Sequence, residues 1–467
     1  MMSIDYFTTP VSRLVWDSRY RFRDATTVHD TDIDATWRRV ARAVAAADVQ
    51  AQDSRAQDFY QLLRDFRFLP GGRIMAGAGT GRRVTLFNCF VMGRIEDSLD
   101  GIFAALREGA LTMQQGGGVG YDFSTLRPAG SAACAVGSIA SGPVSFMRIW
   151  DSMCSTLLST GARRGAMMAT LRCDHPDILE FIDAKQDAQA LRHFNLSVLV
   201  SDAFMEALQR DADWALLFPV SSQQGGVVAA GETRVVHDWP GQDAPVTCRV
   251  TRVLRARDLW QRLMRASYDY AEPGVLFIDR INQWNNLGYR EQISATNPCG
   301  EIPLPPYGAC DLGSLNLTRF VKRPFAGNAC IDFDSLQDAA QLAVRFLDNV
   351  IDVSHFPLPQ QQQQAQQTRR IGLGITGLAD ALIMLGVRYG SPQSFQLADR
   401  VMQTICHAAY HGSLQLAREK GSFPAFDAGR YLQGRFVKAL PDDIREAIAT
   451  TGIRNSHLVA IAPTGTI

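Results

Sequence analysis

The residues best placed to do chemistry lie in the stretch Asn297-Pro298-Cys299-Gly300-Glu301. An amide, a thiol and a carboxylate alternate there. Pro298 and Pro303 disfavour helix for the residues that precede them, and in an extended segment residues at i, i+2 and i+4 project to one face. The spacing therefore predicts that Asn297, Cys299 and Glu301 converge on one small volume, with a carboxylate in proton-transfer reach of whatever meets the thiol. The plainer reading is a proline-rich loop around a buried cysteine, and these five residues alone leave both open.

Other candidates have weaker claims. The nine cysteines are 89, 134, 154, 173, 248, 299, 310, 330 and 406, and none forms a C-x-x-C pair. That weakens a zinc ribbon or a thioredoxin-type motif, and scattered, odd-numbered thiols suit a reducing cytoplasm. Most should be small buried apolar groups. Gln114 to Tyr121 and Ser159 to Ala166 are glycine clusters. The second adds Arg163 and Arg164, guanidinium groups suited to phosphate or base contacts. Gly372-Leu373-Gly374-Ile375-Thr376-Gly377, with Asp399 downstream, matches the dinucleotide fingerprint. A buried strand should feed that motif, yet a glutamine tract (Gln360 to Gln364, Gln366-Gln367) and Thr368-Arg369-Arg370 precede it. Glycines packing closely at a helix start explain it better than a nicotinamide dehydrogenase. The tract itself reads as a solvated loop or helix start.

Elements must position these groups. Residues 34–65 carry helical spacing, so the expected organisation is a helical region over 1–70 followed by an α/β domain over 71–467. Leu86 to Met92, Phe194 to Val200, Gly274 to Ile278 and Leu458 to Ala462 read as strands. Ser98 caps one helix, and Ser141-Gly142-Pro143 opens another running towards Ser159. Alternating strands and helices argue for an α/β architecture. The 467 residues are 46% hydrophobic and 20% charged, an ordinary globular composition, and the 47 basic and 47 acidic side chains cancel. Broad electrostatic binding to nucleic acid or a membrane surface is thus not expected. No signal peptide and no membrane-spanning run is legible.

Several motifs in chain order raise the specificity. Asn297 to Glu301 with Ala309-Cys310-Asp311-Leu312-Gly313-Ser314-Leu315-Asn316-Leu317 resembles the finger loop of ribonucleotide reductases. Phe87-Asn88-Cys89, Gly116 to Tyr121, Gly161 to Leu171 with His175-Pro176-Asp177, and Pro463-Thr464-Gly465-Thr466-Ile467 agree with it. The resemblance covers nearly the whole chain from about residue 10, and its wording is nearest the adenosylcobalamin-dependent class.

That resemblance implies a ten-stranded α/β barrel, here lacking its C-terminal part, and ribonucleotide reduction by thiyl-radical chemistry. Cys299 would be the radical, Glu301 the general base on the 3′-OH and Asn297 the group orienting the sugar hydroxyls. Cys89 and Cys310 would form the redox pair. Gly72, Asn88, Cys89, Gly118, Asn297, Pro298, Cys299, Gly300, Glu301 and Pro463, Thr464, Gly465, Thr466 and Ile467 would surround the substrate. Asp97, Ser98, Leu99 and Arg127 would bind a deoxynucleotide effector, with Mg as its counterion. Gly161, Arg163, Arg164 and Gly165 would carry effector identity to the substrate site. No metal site in the protein itself is expected. The implied cofactor is adenosylcobalamin, the implied reductant is a thioredoxin or glutaredoxin, and the implied assembly is a cytoplasmic homodimer. A large subunit served by a separate radical-generating subunit, a nicotinamide dehydrogenase, and an inactive nucleotide-binding fragment are the competing expectations. The chain stops directly after the phosphate-loop motif, which implies a fragment.

Overall fold

A computed structural model describes residues 6–133, 138–157, 165–187, 189–220, 232–242 and 244–465. The chain divides into two compact units, one of residues 1–89 with 309–467 and one of residues 90–308.

The first unit opens with helices whose starts are written in the sequence. Thr9 caps Pro10–Arg19 by accepting from the Ser12 amide, with Pro10 in the first turn, where its missing N–H costs nothing. Asp32 caps Ile33–Ala45, which buries Ile33, Trp37, Val40, Ala41 and Val44 along one stripe. Gln52–Leu63 follows, so the helical reading of 34–65 resolves into two helices. The sheet of this unit is built on Ala309–Asn316. Phe68–Pro70 pairs antiparallel with it, Phe68 opposite Leu315. Ile371–Thr376 pairs parallel, Asp311 opposite Ile371. Val459 makes a single parallel bridge to Leu373, so the strand expected over 458–462 shrinks to one pairing.

The buried helix Phe333–Val353 packs beside this sheet and brings an ionic cluster into the interior. Asp348, wholly buried, accepts from Arg369 Nε at 2.7 Å, Arg454 Nε at 3.2 Å and Asn455 Nδ2 at 2.8 Å. Such a charge survives burial only when paired this fully. The glutamine tract is a helix, Pro359–Thr368, rather than a loop, because Gln361 and Ala365 turn inward. The glycines at 372 and 374 lie within the strand Ile371–Thr376 instead of at a strand-to-helix turn. The dinucleotide reading therefore fails. Gly374 has no side chain because the Ala460 carbonyl occupies that position.

The second unit holds four parallel strands, Gly118–Asp122, Met167–Arg172, Phe194–Val200 and Gly274–Phe277, paired in that order. Helices Leu99–Gln114 and Pro143–Thr156 connect and flank them, giving α/β architecture as expected. Ser98 Oγ does cap the first of these helices, accepting from Gly101 N at 3.0 Å. A separate antiparallel sheet joins Asp213–Pro219, Val246–Arg255 and Arg234–His237. The strand expected over 86–92 is confined to Cys89–Val91. No helix of the described residues is long and apolar enough to cross a membrane.

Candidate active site

Asn297 and Glu301 do meet, but not by lying extended. Two short strands, Ala295–Thr296 and Pro303–Leu304, form a hairpin. The five residues, with Ile302, are its loop. Gly300 N bonds the Asn297 carbonyl at 3.0 Å, and Gly300 takes φ +83°, a conformation that glycine adopts without a Cβ penalty. The turn, not strand alternation, brings Asn297 Nδ2 to 2.6 Å from Glu301 Oε2. Asn297 is fully buried, and its Oδ1 accepts from Ile302 N at 3.0 Å, so the amide is fixed at both ends. Pro298 is buried, whereas Cys299 stands exposed at the tip. An exposed thiol on the same short loop as a carboxylate can meet a substrate that also reaches a proton acceptor.

Neighbouring strands hold this hairpin. Gly120 lacks a side chain because the Thr296 carbonyl fills the space a Cβ would take. Gly118 lies two residues earlier on the same strand. Asn195 Nδ2 donates to the Pro298 carbonyl at 2.6 Å, a contact the sequence gave no reason to expect. Tyr307, further along the loop, donates to Glu108 Oε2 at 3.1 Å. Burial pushes its hydroxyl up to about 12, and the Glu108 carboxylate adds to this.

In the first unit, Cys89 and Cys310 are both buried. The strand that begins at Cys89 is a hydrogen-bonded neighbour of Ala309–Asn316, which carries Cys310. Gly372 lies beside Cys310, and a Cβ there would run into the Leu312 side chain. Asn88 Oδ1 accepts from Arg73 N at 3.2 Å, and Gly72 packs under the Tyr20 ring. Pro463 and Gly465 are exposed, and Thr464 takes φ +53°. Gly465 lines a cavity of about 390 Å³ with Tyr20, Pro70 and Asn316. Thr466 and Ile467 lie outside the described residues. Asp311 was missed in the sequence. Its carboxyl is wholly buried, and neither oxygen meets a hydrogen-bond partner among the described residues. Burial, with Asp348 nearby, pushes it well above the usual carboxylate range, so the group is a neutral acid.

The expected effector residues also come together. Arg127 Nε lies 2.8 Å from Asp97 Oδ2, and Arg127 N donates to Asp97 Oδ1 at 3.1 Å. Ser98 is spent on the helix cap, while Leu99 is exposed. Asp97 lines a cavity of about 740 Å³ with Arg94, Thr125 and Arg234. Gly161, Arg163 and Arg164 lie outside the described residues. Gly165 packs closely, a Cβ there standing 2.7 Å from Cys154 Sγ.

The other thiols divide by burial. Cys154, Cys173 and Cys248 are buried, and burial pushes them up, to about 12 for Cys173 and about 11 for the other two. Thiols held protonated in this way are inert packing groups. Cys330 departs from the expected burial by being exposed at a strand edge, and Cys134 lies outside the described residues.

Comparison with known proteins bears on this arrangement. A family model described as "Ribonucleotide reductase, barrel domain" matches residues 87–467, and "Ribonucleotide reductase, all-alpha domain" matches residues 6–83. A vitamin B12-dependent ribonucleoside-diphosphate reductase of Mycobacterium tuberculosis is 41% identical over 92% of this chain and 56% of its own length. One from Thermoplasma acidophilum is 36% identical over 88% of this chain and 47% of its own. A ribonucleoside-diphosphate reductase large subunit of Monkeypox virus is 28% identical over 91% and 56%. The chain thus spans about half the length of the curated relatives it matches.

Proposed function

This chain belongs to the ribonucleotide reductase family, and from that premise we propose that it reduces ribonucleotides to 2′-deoxyribonucleotides by thiyl-radical chemistry. The observation that carries the reading is the 2.6 Å bond from Asn297 to Glu301, made within the same hairpin loop that exposes Cys299. In the proposed sequence the Cys299 thiyl takes the 3′-hydrogen while Glu301 accepts the 3′-hydroxyl proton. Asn297 holds Glu301 and the sugar hydroxyls in register. The 2′-oxygen then leaves as water with a proton from one thiol of the pair, C2′ takes the hydrogen of the other, and Glu301 returns its proton to the 3′-oxygen. Cys89 and Cys310 give up two electrons and become a disulfide, and Cys299 returns the hydrogen to C3′. Ribonucleotide and two thiols thereby become deoxyribonucleotide, water and one disulfide.

The radical source we infer is adenosylcobalamin. The higher identity to the two vitamin B12-dependent relatives than to the viral large subunit supports that class. Exposure of Cys299 fits a radical generator that reaches the thiol from outside the chain. When bound, the cofactor supplies the acceptor for the Cys299 hydrogen atom. Regulation by a deoxynucleotide, with Mg as its counterion, is supported by the Asp97–Arg127 pair beside a cavity. Leu99 and Phe103, exposed one turn apart on the helix Leu99–Gln114, support a homodimer face there. A thioredoxin or glutaredoxin would reduce the resulting disulfide, in the cytoplasm.

Anaerobic turnover of ribonucleoside diphosphates and triphosphates with adenosylcobalamin, a deoxynucleotide effector and a dithiol tests the proposal. Deoxynucleotide formation that vanishes in Cys89→Ser and Cys299→Ala is the expected result. Turnover that survives Cys299→Ala would overturn it.

A further inference from the structure

The turn His175-Pro176-Asp177 has no part in the chemistry above, yet it grips the segment that carries Arg127. His175 is wholly buried, and its Nε2–H donates to the Leu126 carbonyl at 2.9 Å. Its Nδ1 accepts from Asp177 N at 3.0 Å, so the ring is held in one neutral tautomer. Asp177 Oδ2 in turn accepts from Ala129 N at 2.9 Å. Leu126 and Ala129 flank Arg127, whose guanidinium and amide both bind Asp97.

The same carboxylate also lies beside Gly142. Gly130 N bonds the Ala140 carbonyl at 2.9 Å, and Ala140 N bonds the Ser131 carbonyl at 2.8 Å, which ties residues 130 and 131 to Ala140. Two residues on, Gly142, at φ +79°, lies against Ala129, and a Cβ there would stand 2.5 Å from Asp177 Oδ2. Gly142 is the residue before the helix Pro143–Thr156. His175 N bonds the Arg172 carbonyl at 3.1 Å, just after the strand Met167–Arg172. One turn therefore meets the 126–129 segment, the start of that helix and the end of that strand.

We propose that Asp177, seated by His175, is a positioning residue that clasps Ala129 beside Gly142 and so presets Arg127 for the effector deoxynucleotide. The assignment rests on the effector reading given under Proposed function. A clasp of this kind lowers the ordering cost that the nucleotide would otherwise meet on binding.

Amide hydrogen exchange at Ala129 tests the clasp without any ligand, and equilibrium dialysis of labelled dATP, dGTP, dCTP and dTTP with Mg tests its purpose. Losing a hydrogen bond to a charged acceptor predicts at least about tenfold faster exchange and about tenfold weaker nucleotide binding in Asp177→Ala. Asp177→Asn keeps an acceptor oxygen and should restore both to within about threefold of the parent. Gly142→Ala leaves the clasp side chains in place but drives a Cβ into Oδ2, and should behave like Asp177→Ala. Unchanged Ala129 exchange in both Asp177→Ala and Gly142→Ala would overturn the clasp. Faster exchange with unchanged nucleotide binding would overturn its positioning role. Should the parent chain bind none of the four nucleotides, and Arg127→Ala change nothing, the effector reading itself falls, while the exchange data still decide whether the clasp exists.

Discussion

Asn297 is the keystone of the candidate site, and removing its amide should be felt at two named atoms. It is fully buried, gives Nδ2 to Glu301 at 2.6 Å and takes the Ile302 amide on Oδ1 at 3.0 Å. Asn297→Ala strands a buried N–H, which costs about 1–3 kcal/mol, or about 5- to 150-fold in the local opening equilibrium. Exchange of the Ile302 amide, followed by mass spectrometry on the native chain, should accelerate by that factor. Asn297→Asp makes a sharper test. It keeps the acceptor for Ile302 but places a second carboxylate oxygen where Nδ2 stood, against Glu301. Two carboxylates so close share one proton, and one of them is raised. A group whose folded value lies above its unfolded value gives stability that is complete in acid and is lost as pH rises through the folded value. Ile302 protection in Asn297→Asp should therefore be near normal in acid and fall towards neutrality, while the parent shows no such trend. Equal protection in all three proteins, or a flat pH profile in Asn297→Asp, would refute the role given to Asn297.

Three further outcomes are expected. Asp311→Asn should fold and should remove a pH dependence of the parent: a neutral buried Asp311 stabilises below the ordinary carboxylate range and loses that contribution as pH rises through its raised folded value, which thermal melts at several pH values would reveal. Gly120→Ala should lower the melting temperature and abolish turnover, because its methyl meets the Thr296 carbonyl and overpacking of this kind costs about 1–3 kcal/mol. Burial holds His175 down at about 4. Its folded value is then below its unfolded one, so the parent should lose stability as pH falls from about 6.5 to about 4, a slope that His175→Gln should flatten in the same melts.

How far the sequence was legible varies residue by residue. The helix start at Ser98 was readable because a cap is a local event, whereas the caps at Thr9 and Asp32 went unread. The meeting of Asn297 and Glu301 was also anticipated, though for the wrong reason: a glycine at positive φ reverses the chain where an extended segment was expected. Gly372 and Gly374 fit a familiar spacing yet lie in a strand, and the space they leave is set by Leu312 and Ala460, far along the chain from them. The proposed pairing of Cys89 with Cys310 could not be derived from spacing, because the two lie far apart along the chain. It came from the family resemblance alone. The burial of Asp311 was hidden for a similar reason: a lone acid in an apolar strand shows its environment only once Ala309–Asn316 is buried.

The central claim is that Cys299 becomes a thiyl radical, and one measurement addresses it directly. The chain would be incubated anaerobically with 5′-tritiated adenosylcobalamin, a ribonucleotide and a matched deoxynucleotide effector, and release of tritium to solvent followed. Reversible hydrogen exchange through the Cys299 thiol predicts release in the parent and none in Cys299→Ala. Release that persists in Cys299→Ala, or none from the parent with any ribonucleotide and effector pair, would contradict the account.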